Sequence, residues 1–156
     1  MAKFIRPDWD EYFMNIAAVV KTRGNCSRRQ VAAVIVKNRR IISTGYNGTP
    51  PGIRNCCDGG CARCAAADVA SGARLDECIC AHAEENAIVQ AAYYGVPLRG
   101  SVLYCTISPC LTCAKMIITA GIQEVVFAEE YHFNRQAAAL LGEAGVKWRH
   151  WRPAPT

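Results

Sequence analysis

Two short segments carry side chains whose chemistry is complementary: His82-Ala83-Glu84 and Pro109-Cys110-Leu111-Thr112-Cys113. Cys110 and Cys113 have the i, i+3 spacing that puts two thiols on one face of a first helical turn, as a shared tetrahedral metal requires. Ser108 is a candidate cap for that helix, and Pro109 sits where a missing N–H costs nothing. The third ligand is best supplied by His82. Two thiolates and one imidazole leave the fourth position of a zinc ion open for water, the pattern of a catalytic rather than a closed structural site. The thiolate charges cancel that of the ion and weaken its Lewis acidity. Ligands at helix N-termini restore part of it, because each dipole presents about half a positive charge there. The pKa of the bound water then falls from ~15.7 towards ~7. Glu84 lies two residues beyond His82, about 200° around a helix, so it is placed to touch the bound water rather than the ion. A carboxylate there takes the water's proton, returns it to a ring nitrogen and helps to protonate a leaving amine.

These groups need a framework, and the apolar spacing supplies one. Residues from Asp8 to about Arg23 read as an amphipathic helix with Trp9, Tyr12, Phe13, Ile16, Val19 and Val20 on its apolar face. Val31 to Val36 and Ile41 to Tyr46 are β-branched runs joined by a polar turn, hence an antiparallel hairpin. Helices over Ala83 to Tyr94, Cys110 to Ala120 and Asn134 to Gly142 alternate with strands over Ser101 to Thr106, Glu124 to Ala128 and Val146 to Trp151. The expected fold is α/β: a three-layer α-β-α sandwich around a mixed sheet of about five strands, with functional residues at strand ends and helix starts. Between them, about 48–80 is a Gly-, Pro- and Cys-rich insertion too long for a plain connection, and its cysteines favour a metal staple.

With 156 residues, 51% hydrophobic and 20% charged, the chain reads as one folded domain spanning 1–156, without repeats or low-complexity segments. No apolar run approaches the ~20 residues of a membrane helix, and the first residues lack the apolar core of a secretory signal, so a soluble, cytoplasmic protein is expected. The formal charge of +5 comes from scattered basic residues, which suits a nucleotide-sized phosphate better than a nucleic acid. Ten cysteines in a chain of this length, clustered at Cys56, Cys57, Cys61, Cys64, Cys78 and Cys80, point to thiolate metal sites in a reducing compartment, with zinc first in line. Cys105, inside an apolar strand, reads as a small buried hydrophobe.

With its H-x-E and P-C-x-x-C motifs in frame, the sequence resembles the zinc-dependent cytidine and deoxycytidylate deaminase superfamily. It is most similar to the deoxycytidylate (dCMP) deaminase branch, through RPDWDEYFMNIA, ISTGYNGTPPG, HAEENAIVQAA, LYCTISPCLTCAKMIITAGI and the EEY ending at Tyr131. The likeness covers nearly the whole chain. It implies hydrolysis of dCMP to dUMP and ammonia, which supplies thymidylate synthesis. His82, Cys110 and Cys113 would hold the catalytic zinc, with Glu84 as proton shuttle. It also implies that Asn47, Ser108 and Tyr131 contact the nucleotide, Asn47 at the sugar, and that dCTP and dTTP act as effectors through Gly45, Asn47 and Gly48. Homo-oligomers built from dimers, up to hexamers, are implied too. The remaining cysteines suggest a second, structural zinc: the resemblance places ligands at Cys26 and Cys56, and Cys61, Cys64, Cys78 and Cys80 compete for the last places, the expected set being Cys26, Cys56, Cys61 and Cys78, with Cys80 able to replace Cys78. Departures from the family pattern include Tyr93, where several relatives carry an arginine, the Val31-Ala32-Ala33-Val34 run, and the additional Cys57 and Cys64. Two other readings stand beside this one: a zinc deaminase of another cytosine or purine nucleoside or nucleotide, and a non-catalytic zinc-stabilised interaction module.

Overall fold

A computed structural model describes residues 4–132 and 134–153. Helix α1 (Trp9–Lys21) starts at Asp8, whose Oδ1 accepts the Glu11 N–H at 2.8 Å and so satisfies one unpaired donor of the first turn. Strands β1 (Ala32–Lys37) and β2 (Arg40–Tyr46) form the expected hairpin. Its turn residues Asn38 and Arg39 have φ 51° and 60°, the left-handed pair that a tight two-residue hairpin needs. The insertion contains a 3-10 turn at Cys56–Asp58, a short helix α2 (Ala62–Ala65) and a second 3-10 turn at Leu75–Glu77. There follow α3 (Ala83–Tyr93), β3 (Val102–Ile107), α4 (Leu111–Thr119), β4 (Glu124–Glu129), α5 (Arg135–Glu143) and β5 (Lys147–His150).

The sheet runs β2-β1-β3-β4-β5, with β1 antiparallel to both β2 and β3, and β3, β4 and β5 parallel. Side-chain alternation divides the central strands between two cores. Val34, Val36, Tyr104 and Val126 pack with Phe13, Met14 and Ala17 of α1. Ala33, Ile35, Leu103, Cys105, Val125 and Phe127 face Ala83, Ala87, Ala91, Ala114, Ile117 and Leu141 from α3, α4 and α5. Burial on both faces explains why β1 and β3 read as continuous apolar runs. This is the three-layer, five-stranded mixed architecture that the sequence predicts.

The buried stripe of α1 differs from the predicted one. Phe13, Met14 and Ala17 are buried, whereas Trp9, Tyr12 and Val19 are exposed. The helix rests on its small Ala17, and the Trp9 ring instead lies 5.1 Å beneath the Arg39 guanidinium. The far edge of the same layer is tied by charge: Arg149 of β5 pairs with Asp10 and Glu124 at 2.6 Å each, and the Tyr104 hydroxyl donates to Asp10 at 2.8 Å. Among the described residues, no helix is long and apolar enough to cross a membrane.

Candidate active site

The sheet order brings the ends of β2 and β3 and the start of β1 to one side of the molecule, and both motif segments sit there. His82 is the N-cap of α3 in extended backbone (φ −74°, ψ 158°), with its N–H donated to Glu85 Oε2 at 3.1 Å. Just upstream, Ala81 and Gly48 exchange both backbone hydrogen bonds, at 2.8 and 3.2 Å. The approach is tight. A Cβ on Gly48 would lie 2.5 Å from Asn25 Oδ1, and one on Gly45 would lie 2.2 Å from the Ala83 carbonyl and 2.5 Å from the Ala87 nitrogen. Strand β2 can therefore support the first turn of α3 only through a residue without a side chain. The Ser43 hydroxyl adds a hydrogen bond to the Ala87 carbonyl at 2.6 Å, and Asn86 Nδ2 one to the Tyr46 carbonyl at 2.8 Å.

Helix α4 supplies the thiols, with one correction to the sequence reading. Cys110, not Ser108, is its N-cap. Pro109 is fully buried and Cys110 is still extended (φ −78°, ψ 173°), so the helix begins later than the spacing suggests. The Ser108 hydroxyl oxygen instead accepts from the Tyr131 N–H at 2.7 Å and from Asn134 Nδ2 at 3.3 Å, joining the β3–α4 turn to the segment after β4.

His82 Nδ1 lies 3.4 Å from Cys110 Sγ and 3.4 Å from Cys113 Sγ, and all three donor atoms lie within 4.8 Å of one another. Tetrahedral zinc with bonds of about 2.0–2.3 Å separates nitrogen from sulfur by about 3.6 Å, so the donor set fits that ion without backbone movement. Cys110 is held down to about 3, first by its hydrogen bond with the Cys113 thiol and also by His82. His82 is pushed up to about 9, mainly by the Cys110 hydrogen bond against the opposing effect of burial. Cys113 is pushed up because Cys110 keeps the negative charge and because it is buried. These shifts favour negative charge on Cys110 beside a protonated His82, and a metal ion bound by the three would displace the remaining protons.

Glu84 is only 4% exposed. Burial pushes its carboxyl up, opposed by its own backbone N–H and by the charge of His82. A buried carboxyl aimed at a soft-donor triad, in its protonated form or facing a cation, suits proton transfer beside a metal.

The other expected site residues take varied positions. The Asn47 Oδ1 accepts the Val31 N–H at 2.8 Å and its Nδ2 donates to the Arg29 carbonyl at 2.7 Å, so the amide braces the start of β1. Tyr131 follows β4 beside Ser108, with its carbonyl accepting the Asn134 N–H at 3.2 Å. Cys105 is fully buried in β3 within the apolar core.

The insertion forms a second sulfur centre. Cys26, Cys56, Cys64 and Cys80 make one mutually close quartet, and Cys61, Cys64, Cys78 and Cys80 make another. No single quartet contains all of Cys26, Cys56, Cys61 and Cys78, which divide into pairs between the two groups. Spacing could not separate Cys61 from Cys64, because Cys61 caps α2 and Cys64 lies three residues on within its single turn, which brings both thiols to the same centre. Cys57 remains outside both groups and exposed.

Three residues escaped the sequence reading. Asn25, just beyond the predicted first helix, accepts the Thr49 and Cys56 N–H groups at 3.1 and 3.4 Å and donates to Asn55 Oδ1 at 3.0 Å. Arg28, counted among scattered charges, donates to the carbonyls of Cys64 at 3.0 Å, Val69 at 2.6 Å and Ala66. Asn134 is buried and bridges Ser108 to Glu130, donating to the carboxylate at 3.1 Å. For Asn25 a weak signal existed in its position beside Cys26. For Arg28 and Asn134 there was none.

Comparison with known proteins adds the following. The family model described as the cytidine and deoxycytidylate deaminase zinc-binding region matches residues 7–129. Deoxycytidylate deaminase of Schizosaccharomyces pombe is 47% identical over 95% of this chain and 45% of its own length. That of Saccharomyces cerevisiae is 43% identical over 97% and 47% respectively. The chain therefore spans about half the length of these yeast relatives. The crystal structure of dCMP deaminase from cyanophage S-TIM5 in complex with dCMP and dUMP superposes with a TM-score of 0.78 at 34% identity, covering 95% of this chain and 100% of that one.

Proposed function

The chain belongs to the cytidine and deoxycytidylate deaminase zinc-binding family, and from that premise we propose that it hydrolyses dCMP to dUMP and ammonia. The observation that carries this reading is the pre-formed triad of His82, Cys110 and Cys113, at 3.4 Å from nitrogen to each sulfur, with the buried Glu84 beside it. Zinc held by these three supplies the Lewis acidity that lets water react at neutral pH. Glu84 takes the proton of the attacking water, delivers it to N3 of the cytosine, and passes a second proton to the departing amine. The balance is dCMP plus water to dUMP plus ammonia. Burial of Glu84 keeps its carboxyl ready to exchange a proton rather than locked as a solvated anion.

Asn47, Ser108 and Tyr131 are the nucleotide contacts in this reading, with Asn47 at the sugar. Effector control by dCTP and dTTP through Gly45, Asn47 and Gly48 is supported by their place against the start of α3, where a shift of β2 or of its following loop moves His82 directly. A dimer-based homo-oligomer is supported by the exposed apolar Val89, Tyr93 and Tyr94 on the outer face of α3 and its end. A second, structural zinc in the insertion is supported by its buried sulfurs, and ten unpaired thiols suit a reducing compartment such as the cytoplasm.

The test is ammonia release from dCMP, deoxycytidine and CMP, with and without dCTP. Turnover on dCMP and none on deoxycytidine is the expected result. Glu84→Gln should keep its zinc and lose roughly 10²–10⁴-fold in kcat. A zinc-loaded, folded Glu84→Gln that retains wild-type turnover would remove Glu84 from the reaction, and an inactive wild type would favour the interaction-module reading.

A further inference from the structure

Five buried or half-buried cysteines of the insertion, together with Cys26 from the segment before β1, are more than one four-ligand site needs. Two complete quartets exist, and they share Cys64 and Cys80. Cys26 and Cys56 belong to one quartet alone, Cys61 and Cys78 to the other alone. The sulfurs are spaced as ligands and not as disulfides: Cys26 to Cys64 is 3.9 Å, Cys64 to Cys78 is 3.7 Å and Cys61 to Cys78 is 4.0 Å. In a tetrahedral zinc–thiolate site with Zn–S of about 2.3 Å, the sulfurs stand about 3.8 Å apart, whereas a disulfide closes to about 2.0 Å. All six thiols are free of disulfide bonds.

We propose that this centre is binuclear: two zinc ions held by six cysteines, with Cys64 and Cys80 bridging, Cys26 and Cys56 terminal on one ion, and Cys61 and Cys78 terminal on the other. The proposal rests on the reading of the insertion as a structural zinc site and changes its nuclearity. Charge balance favours the second ion. One zinc on four thiolates carries −2 and leaves two buried thiols, while two zincs on six thiolates also carry −2. The second ion therefore enters by displacing two protons, with no new net charge to bury. The local backbone is arranged for it. The Ser27 N–H points at Cys56 Sγ at 3.4 Å, and the Ser27 hydroxyl lies 3.5 Å from the same sulfur. Arg28, which holds the Cys64, Ala66 and Val69 carbonyls, and the buried Arg63, which donates to the Ala73 carbonyl at 2.6 and 3.1 Å, brace the backbone around the segment that carries Cys61 and Cys64. Thiolate-only donors select soft or borderline ions, of which tetrahedral zinc fits this spacing.

Mass spectrometry of the intact native chain and cadmium-113 NMR of the cadmium-substituted chain test the assignment together. The expected result is three ions per chain and three cadmium signals, two of them mutually coupled through the shared sulfurs and the third uncoupled. Cys110→Ser should lose only the uncoupled signal. Cys61→Ser should retain the Cys26, Cys56, Cys64, Cys80 quartet and drop from three ions to two. Two ions per chain in the wild type under excess metal, or cluster signals without mutual coupling, overturns the binuclear assignment. Ammonia release from dCMP is scored on the same samples: two ions with full turnover sinks only the cluster, and three ions without turnover sinks only the proposed reaction.

Discussion

Gly45 shows how a residue without chemistry governs one that has it. A methyl group there would meet the Ala83 carbonyl at 2.2 Å, and backbone cannot step aside as a flexible side chain can. Gly45→Ala should cost about 1–3 kcal/mol of stability, the range for overpacking, and should displace the turn that carries His82 and Glu84. Denaturant unfolding and zinc content of the purified variant measure the two effects. An unchanged unfolding midpoint would mean that β2 and α3 are not held at this spacing. At this scale the sequence was legible where chemistry dictates spacing: His82, Glu84, Cys110 and Cys113 all converge as their motifs required. It was illegible where a side chain acts through partners remote in the chain. The Ser108 hydroxyl looked like a cap, yet it serves Tyr131 and Asn134, more than twenty residues away.

Among the elements, α1 carries a pH dependence that sequence patterning could not announce. Its Asp10 meets Arg149 of β5 and Tyr104 of β3. The Arg149 hydrogen bond holds the Asp10 carboxyl below the ordinary aspartate range, with burial opposing and the Tyr104 hydroxyl assisting. A carboxyl depressed in the folded chain binds its proton more readily when unfolded, so its contribution is present above about pH 4 and is lost as pH falls through the folded value. Melting curves of wild type and Asp10→Asn should therefore differ at about pH 6 and draw together progressively below about pH 4, as pH falls towards and through the lowered folded value. A difference that persists unchanged in acid would show that Asp10 acts by shape alone. Element types and order followed from the periodicity, because strands buried on both faces leave long β-branched runs. The rotation of α1 about its own axis did not follow, since Trp9, Tyr12, Phe13, Met14 and Ile16 crowd more than half its circumference with apolar side chains. Only the sheet decides which of them it buries.

For the whole molecule, the His82, Cys110, Cys113 triad and the cysteine groups around the insertion are almost adjacent in the chain, with Cys80 only two residues before His82, and the proposed reading gives chemistry to the first and stability to the second. Cys110→Ser should abolish turnover and leave the melting temperature within a few degrees of wild type. Cys64→Ser should lower the melting temperature substantially, because the insertion contributes few apolar side chains and is held chiefly by sulfur and by the Arg28 and Arg63 hydrogen bonds. Thermal melts of both variants check this division. Equal loss of stability in the two would mean that the centres are one folding unit. The sulfur arrangement has a practical consequence as well. Of ten cysteines, Cys57 alone is exposed. A bulky maleimide dye applied to the fully metallated chain should attach once, at Cys57, and each additional label would mark a sulfur released from its ion. The ratio of dye to protein then becomes a simple optical gauge of metallation that requires neither substrate nor a mass spectrometer.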